Sequence, residues 1–469
     1  MTEYFNKKYT DGFFNVNNNY GFLPTKDPLK ELPNKYYDLQ QLINDLHVFQ
    51  KNELKGILGV PNMIEERVSS IPNYIETIKE ETDVFILQAL YRAYTFVTSG
   101  YTLELSYQEF IKNGNYGKAR QILPVNISEP LVEVSNKLNV YPWLDYHYSY
   151  SIGNYVKKDP NGTLDWKNLD MACKFTGGVD EIGFIMLHVY INELSPQLVS
   201  SVMNYGKDHL TKELELCGRT MEEINNRRKE MWTASRSEHY NDFRIFIMGI
   251  KGNDSIFDNG LVYSNCFDNI PQQFRGQTGA QDSIIPMMDI FTGVVDYYPN
   301  NKLTEYLLDL RTYRPVCIQN FFKDLREYYN SNPIYSYLCK TKNYVGLVYL
   351  LKIIDEIYLF RNGHWQFVQK YIMSNTKYAF ATGGTPITTW LINQIEAVLK
   401  YEEDIINYIK NNSIDSDLLE CYDLWERLSN SYMNKKKLLL DQVSELNNIN
   451  YNIDMVYNLN KEMKLEDNK

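Results

Sequence analysis

From Tyr36 onward the apolar residues recur at helical intervals, with Leu39, Leu42, Ile43, Leu46 and Phe49 forming the first stripe. Similar stripes follow through most of the chain, and strong two-residue alternation is absent. Gly and Pro gather in a few segments, so the pattern predicts an all-α protein. Residues 1–35 are rich in Asn, Tyr and Pro and carry no period. Two polar breaks stand out: KKDPNGTLDW at 157–166, expected as a domain connector, and 251–283, expected as a long ordered loop. From Tyr401 helical spacing returns at Leu418, Leu419, Tyr422, Trp425 and Leu428, and again at Leu438, Leu439, Val443 and Leu446. These helices are expected to pack on the main body, with a partner-binding coiled coil as the alternative. The division expected is a small N-terminal helical domain with its connector (1–165), a large helical domain (166–402) and a C-terminal helical extension (403–469).

Length and composition narrow the class. At roughly 100 to 200 residues per domain, a chain of 469 residues with 44% hydrophobic content has material for two or three cores. Its 48 basic and 59 acidic side chains leave a net charge of −11 without any long Lys/Arg run. Nucleic acid is therefore not an expected partner, because its affinity is supplied by clustered cations. Six widely spaced cysteines include no CxxC pair, which argues against a zinc ribbon or a disulfide framework and for reduced thiols. The N-terminus has no signal-like apolar run, and no uncharged apolar stretch of about 18 residues occurs. A cytoplasmic protein without a membrane segment is expected.

Common catalytic signatures are missing. There is no GxSxG or HExxH, and GNYGK (114–118) is too short between its glycines for a phosphate loop. None of the six histidines has a carboxylate two residues later, as a two-His-one-carboxylate iron site often shows. The placement of two histidines is more telling. Leu347, Leu351, Ile354, Tyr358, Phe360, Phe367, Val368, Tyr371 and Ile372 mark a helix, and His364 lies four residues from both Phe360 and Val368, facing the core. His188, in GFIMLHVYI, is surrounded by apolar residues on every face of a second helix. A buried imidazole needs partners for its nitrogens. Each is either a satisfied core histidine or the single protein ligand of a non-covalent haem, CxxCH being absent. Spacing leaves both readings open.

Eight segments taken together resemble the indoleamine 2,3-dioxygenase family: YGFLP (20–24), ILPVNISEP (122–130), KKDPNGTL (157–164), FRIFIMGIKGN (243–253), DNGLVY (258–263), LRTYRP (310–315), HWQFVQKYI (364–372) and TGGT (382–385). They occur in the family's order from about Tyr20 to Leu399. The resemblance implies a small helical domain roofing the distal side of haem b, which is held non-covalently against a larger helical domain. It implies that His364 is the proximal iron ligand and that Arg244 holds the substrate carboxylate, a task suited to a guanidinium. Thr385 matches a mobile-loop threonine that contacts the bound amino acid, with paired glycines giving the backbone freedom of a lid. Thr278, Gly279 and Ala280 match the loop along the haem edge, and Phe184 and Tyr146 match positions lining the indole. His188 falls where vertebrate members carry a small hydroxyl residue and would hydrogen-bond the indole N–H. His239 replaces a distal phenylalanine, and residues after Lys400 have no counterpart.

The implied function is cleavage of the indole C2–C3 bond of L-tryptophan or a close indoleamine with O2 to N-formylkynurenine, the first step of the kynurenine route. The implied partners are O2, an indole amino acid and an electron donor keeping iron ferrous, with the chain a monomer unless the C-terminal extension joins copies. Rival expectations are altered chemistry on a substituted tryptophan in secondary metabolism, a haem-binding sensor without turnover, and a helical scaffold lacking haem.

Overall fold

The computed structural model describes residues 5, 7–49, 55–204, 209–300, 302–373, 382 and 387–448. Its N-terminal half is built around α1 (Val84–Asn113), started by the Asp83 carboxylate accepting from the Phe85 and Ile86 amides and ended by Gly114 at φ +74°. From Leu87 to Leu103 every residue of α1 is buried, so the helix stands inside the fold. A short strand β1 (Ile122–Leu123) leads into α2 (Val125–Leu138), which packs along α1. Strands β2 (Tyr155–Lys157) and β3 (Leu169–Met171) then pair antiparallel. The polar stretch 157–166, expected as a connector, is the turn of this hairpin, with Asp159 and Asn168 bonding across it.

The second half begins with α3 (Val179–Asn192), the helix of His188, followed by α4 (Leu210–Lys229) and the one-turn α5 (Tyr240–Arg244). Strand β4 (Val262–Tyr263) pairs parallel with β1. These two-stranded ladders are the described departures from an all-helical chain, and they are too short for alternation to register in the sequence. Helices α6 (Ile284–Thr292), α7 (Lys302–Arg311) and α8 (Val316–Ser331) lead to α9 (Tyr344–Phe367). Apolar on most faces, α9 is enclosed by α4 and by α10 (Ile387–Asn412). α10 runs unbroken through residues 402 and 403.

After a 3-10 turn, α11 (Tyr422–Asn448) lies against α9 and α10, burying Leu428, Tyr432 and Leu439. Lys435 fixes it, pairing with Asp355 of α9 and, at 2.9 Å, with Glu402 of α10. This is packing on the body, as expected. Residues 7–33, aperiodic in sequence, are anchored by single large side chains: Tyr9, Phe13 and Phe14 are all buried. Tyr9 donates to Asp324 of α8 at 2.8 Å, and Lys7 pairs with the same carboxylate at 3.0 Å. Among the described residues, no helix is long and apolar enough to cross a membrane.

Candidate active site

The stripe that carries His364 runs on past the end of α9 as a π turn, Val368–Met373. This turn bends the last apolar positions, Val368, Tyr371 and Ile372, around the same space that His364 faces. A second π turn, Tyr146–Tyr150, is capped by Asp145, whose carboxylate accepts from the amides of His147, Tyr148 and Ser149. Such turns concentrate at functional sites because they re-aim side chains. Arg361, one turn before His364, ties α9 to its neighbours: it bonds Asp289 of α6 at 2.7 Å, the Tyr298 hydroxyl at 2.8 Å and the Gln394 carbonyl of α10 at 3.1 Å.

The space between α3, α5, α9 and the 277–282 loop is a cavity with about 1270 Å3 of atom-free volume, its mouth included. His364 and His188 both line it, with Phe184, Tyr240, Thr278 and Tyr371 among their neighbours. A smaller pocket of about 550 Å3 continues past His364 between Gly279, Asp289 and Arg361. The wall is mostly apolar with a few convergent polar groups, the composition of a small-molecule site.

Both histidines are held neutral. Burial, then the neighbouring His188, then the Arg228 cation push His364 down to about 4. The ring is half-buried only because one side borders the cavity. Burial also lowers His188, partly offset by the Asp282 carboxylate. The Nδ1 of His188 lies 2.9 Å from the Phe184 carbonyl, which can only accept, so Nδ1 carries the proton. Nε2 is then an acceptor, near Gly279, where an added Cβ would stand 3.7 Å from it. Arg228 is brought beside His364 by Gly363, at which any Cβ would fall 1.9 Å from the Arg228 Nη1. Burial draws Arg228 down to about 10, so it remains a cation at neutral pH.

Of the residues singled out from sequence, the cavity brings together His364, His188, Phe184, Thr278, Gly279 and Ala280. Phe184 heads an aromatic cluster, 5.7 Å from His188 and 5.0 Å from Tyr240 between ring centres. Tyr146 does not reach the lining: its hydroxyl donates to Asp282 at 2.8 Å, and Asp282, also held by Asn192 at 2.7 Å, forms the wall. Arg244 is fully buried, but off the lining; its Nη1 donates to the Tyr116 hydroxyl at 3.2 Å, and its guanidinium interacts with the Tyr240 phenol, which does line the cavity. His239, expected on the pocket, does not line it. The 3-10 turn before α5 directs its ring outward to Asp242 at 2.9 Å, with the side chain 40% exposed. Thr385 lies outside the described residues. Thr382, the first residue of the same TGGT segment, lines the cavity and donates to the Gln277 carbonyl at 2.6 Å. Sequence reading missed Asp282, although it lies two residues after Ala280 in the 251–283 stretch, and it missed Tyr240 and Arg228, whose roles depend on contacts distant in sequence.

His364 could supply one protein donor to a cofactor that carries the rest of its own ligands. Among the described residues no three His, Cys, Asp or Glu side chains converge to hold a metal ion. A metal at His364 would have to bring its other donors with it, as a porphyrin does. A neutral imidazole is the ligating form, and the small Gly279–Ala280 pair leaves room for close approach along one edge.

Comparison with known proteins finds relatives along most of the chain. The family model described as indoleamine 2,3-dioxygenase matches residues 11–397. Indoleamine 2,3-dioxygenase 1 of Rattus norvegicus is 25% identical over 374 residues, covering 78% of this chain and 85% of the relative. Indoleamine 2,3-dioxygenase nanC of Aspergillus nanangensis is 26% identical over 341 residues, 67% of this chain and 75% of its own length. A 6-hydroxytryptophan 2,3-dioxygenase, fscD of Fusarium equiseti, is 25% identical over 375 residues, 75% and 82% of the two chains.

Proposed function

We propose a specific reaction for a chain that belongs to the indoleamine 2,3-dioxygenase family: opening of the indole ring of L-tryptophan, or a close indoleamine, across C2–C3 to give N-formylkynurenine. Membership makes it a dioxygenase, an oxidoreductase that uses oxygen and an indole substrate. The observation that carries the finer reading is the pair of neutral histidines, His364 and His188, on opposite elements of one apolar cavity.

His364 would hold haem b through its neutral ring, and the haem supplies the oxygen-activating iron, kept ferrous by an external electron donor. The apolar walls, Phe184 and Tyr371 among them, exclude water from the reacting indole. His188 presents Nε2 as an acceptor, so it takes a hydrogen bond from the indole N–H and fixes the ring's orientation. No proton need leave the substrate to His188 for this role. Arg244 supplies the cation for the substrate carboxylate. To meet it, the guanidinium exchanges the Tyr116 hydroxyl for the carboxylate while Tyr240 turns aside. Thr385, on the segment begun by Thr382, closes over the bound amino acid. The chain acts as a monomer.

The test is reconstitution with haem, reduction by ascorbate, and supply of O2 and L-tryptophan, with the product identified by absorbance and mass. N-formylkynurenine carrying both atoms of labelled oxygen is the expected result; a normal haem spectrum without product would leave a binding protein instead. Arg244→Ala should raise KM for tryptophan while haem content stays at the wild-type level, and parallel loss of both would make Arg244 structural. A second reading, a ring-substituted tryptophan as substrate, is favoured by the similarity to the 6-hydroxytryptophan enzyme. It predicts a higher kcat/KM for the hydroxylated substrate than for tryptophan.

A further inference from the structure

The last turn of α4 gathers three cations, Arg227, Arg228 and Lys229, at the end of the helix where its dipole favours positive charge. Two of them turn outward. Arg227 pairs with Glu193 at 2.8 Å, and Lys229 is exposed, with its amine 3.1 Å from the Asn226 amide oxygen. Arg228 turns inward against α9 and is 8% exposed. The helix end does not require that burial, which costs a charged side chain its hydration.

The guanidinium bridges the turns on either side of His364. Its carbon stands 5.9 Å from the ring centre of Phe360 and 5.6 Å from that of Phe367. Phe360, His364 and Phe367 are spaced i, i+4 and i+7 along one face of α9, and all three line the principal cavity together with Arg228. The charge has no ion-pair partner of its own. Nε donates to the Asn225 amide oxygen at 3.2 Å and Nη2 to the Leu359 carbonyl at 3.4 Å, both neutral, and among the described residues no carboxylate lies within ion-pairing distance. Glu356, the acid that acts on Arg228, is linked to it through Asn225, which donates to Glu356 at 2.7 Å, and is already paired with Lys352. Arg361, the other cation on this stretch of α9, is neutralised by Asp289. Arg228 is thus the charged neighbour felt at His364, and burial leaves it weakly screened.

We propose that Arg228 is a redox-tuning residue: its fixed cation beside His364 favours the ferrous over the ferric state of a haem held by that histidine. The proposal rests on the haem reading given above. When ferric iron takes one electron from the external donor, the positive charge facing Arg228 falls by one unit, and the repulsion between the two centres falls with it. Removing the guanidinium therefore favours the ferric form. Groups outside the ligand set are among the means by which a protein sets the potential of a bound metal. The proposed reaction needs the ferrous state, so Arg228 lets a weaker reductant keep the protein ready for substrate.

The test is spectroelectrochemical titration of the haem-loaded, full-length protein, read at the Soret band. Arg228→Met keeps the apolar length and removes the charge; it should shift the ferric–ferrous equilibrium about tenfold toward ferric, a potential about 59 mV lower for one electron. Arg228→Gln, neutral but polar, should shift it in the same direction, so the outcome does not depend on one variant folding. Arg228→Lys keeps the charge and should restore most of the wild-type potential. Lys229→Met removes the exposed cation of the next residue and should leave the potential where it is. A wild-type potential in the neutral variants, an equal shift in Arg228→Lys, or an equal shift in Lys229→Met would each overturn the proposal. Haem uptake that is absent from the wild type, or unchanged by His364→Ala, would overturn the haem reading itself and this proposal with it.

Discussion

Replacing Arg361 by Met tests how firmly the end of α9 that carries His364 is held. The guanidinium is 8% exposed and its partner Asp289 2%, with 2.7 Å between them. Met fills similar apolar volume, so the dominant change is electrostatic. Asp289 is left buried with the Tyr298 hydroxyl at Oδ2 and with no partner at Oδ1 among the described residues. Breaking a buried pair from one side costs about 3 to 5 kcal/mol, a large part of a total stability of roughly 5 to 15 kcal/mol. Urea unfolding of the cofactor-free protein, followed by tryptophan fluorescence, should show that loss. The double variant Arg361→Met with Asp289→Leu removes both charges and should return to within about 1 kcal/mol of wild type, since apolar replacement of a buried pair is often neutral. With haem held by His364 as proposed, the single variant should also release it faster, because His364 sits one turn further along the same helix. A single-variant loss below about 1 kcal/mol, or a double variant no better than the single, would refute the reasoning.

Three further outcomes are expected. Gly363→Ala places a methyl 1.9 Å from the Arg228 Nη1, so it should cost roughly 1 to 3 kcal/mol by overpacking, read as a lowered thermal midpoint; an unchanged midpoint would mean Arg228 moves freely. The folded-state value of His364, about 4, lies below the 6.5 of an unfolded histidine, so its contribution to stability is complete above pH 6.5 and is lost as pH falls toward 4. Between pH 7 and 5 the cofactor-free wild type should lose about 2 kcal/mol more than His364→Gln, and parallel pH profiles would contradict a neutral His364. Lys435→Met strands Glu402 and Asp355, 0% and 6% exposed; hydrogen exchange across 422–441 should accelerate, and unchanged protection would show that apolar contacts alone hold α11.

The helices and both histidines were legible because long apolar stripes report which face is buried. His364 and His188 lie on stripes of that kind, and α9 and α3 form where the spacing places them. Depth within the fold was not legible. Arg244 and Tyr240 lie four residues apart in α5, on one face of the helix, yet only Tyr240 lines the cavity, because depth along that face is set by what packs beyond each end. Tyr146, placed on the pocket by the resemblance, lies behind Asp282 and donates to it, a contact set by a partner 136 residues away that no local pattern reports. The 7–33 arm carries no pattern because isolated aromatic side chains anchor it on partners distant in sequence, Asp324 for Tyr9 and Tyr148 for Phe13 and Phe14.

That arm has a consequence for the order of synthesis. Tyr9 bonds a residue 315 positions later, and Tyr148, on the π turn beside the cavity, bonds Asp11. At roughly 5 to 20 residues per second, the interval of 315 residues between Tyr9 and Asp324 is spanned in about 16 to 63 s. During that time the first-made segment stays without its final partner, and His364 has not yet been made. The cavity that His364 lines is therefore completed only after more than three quarters of the chain has been made.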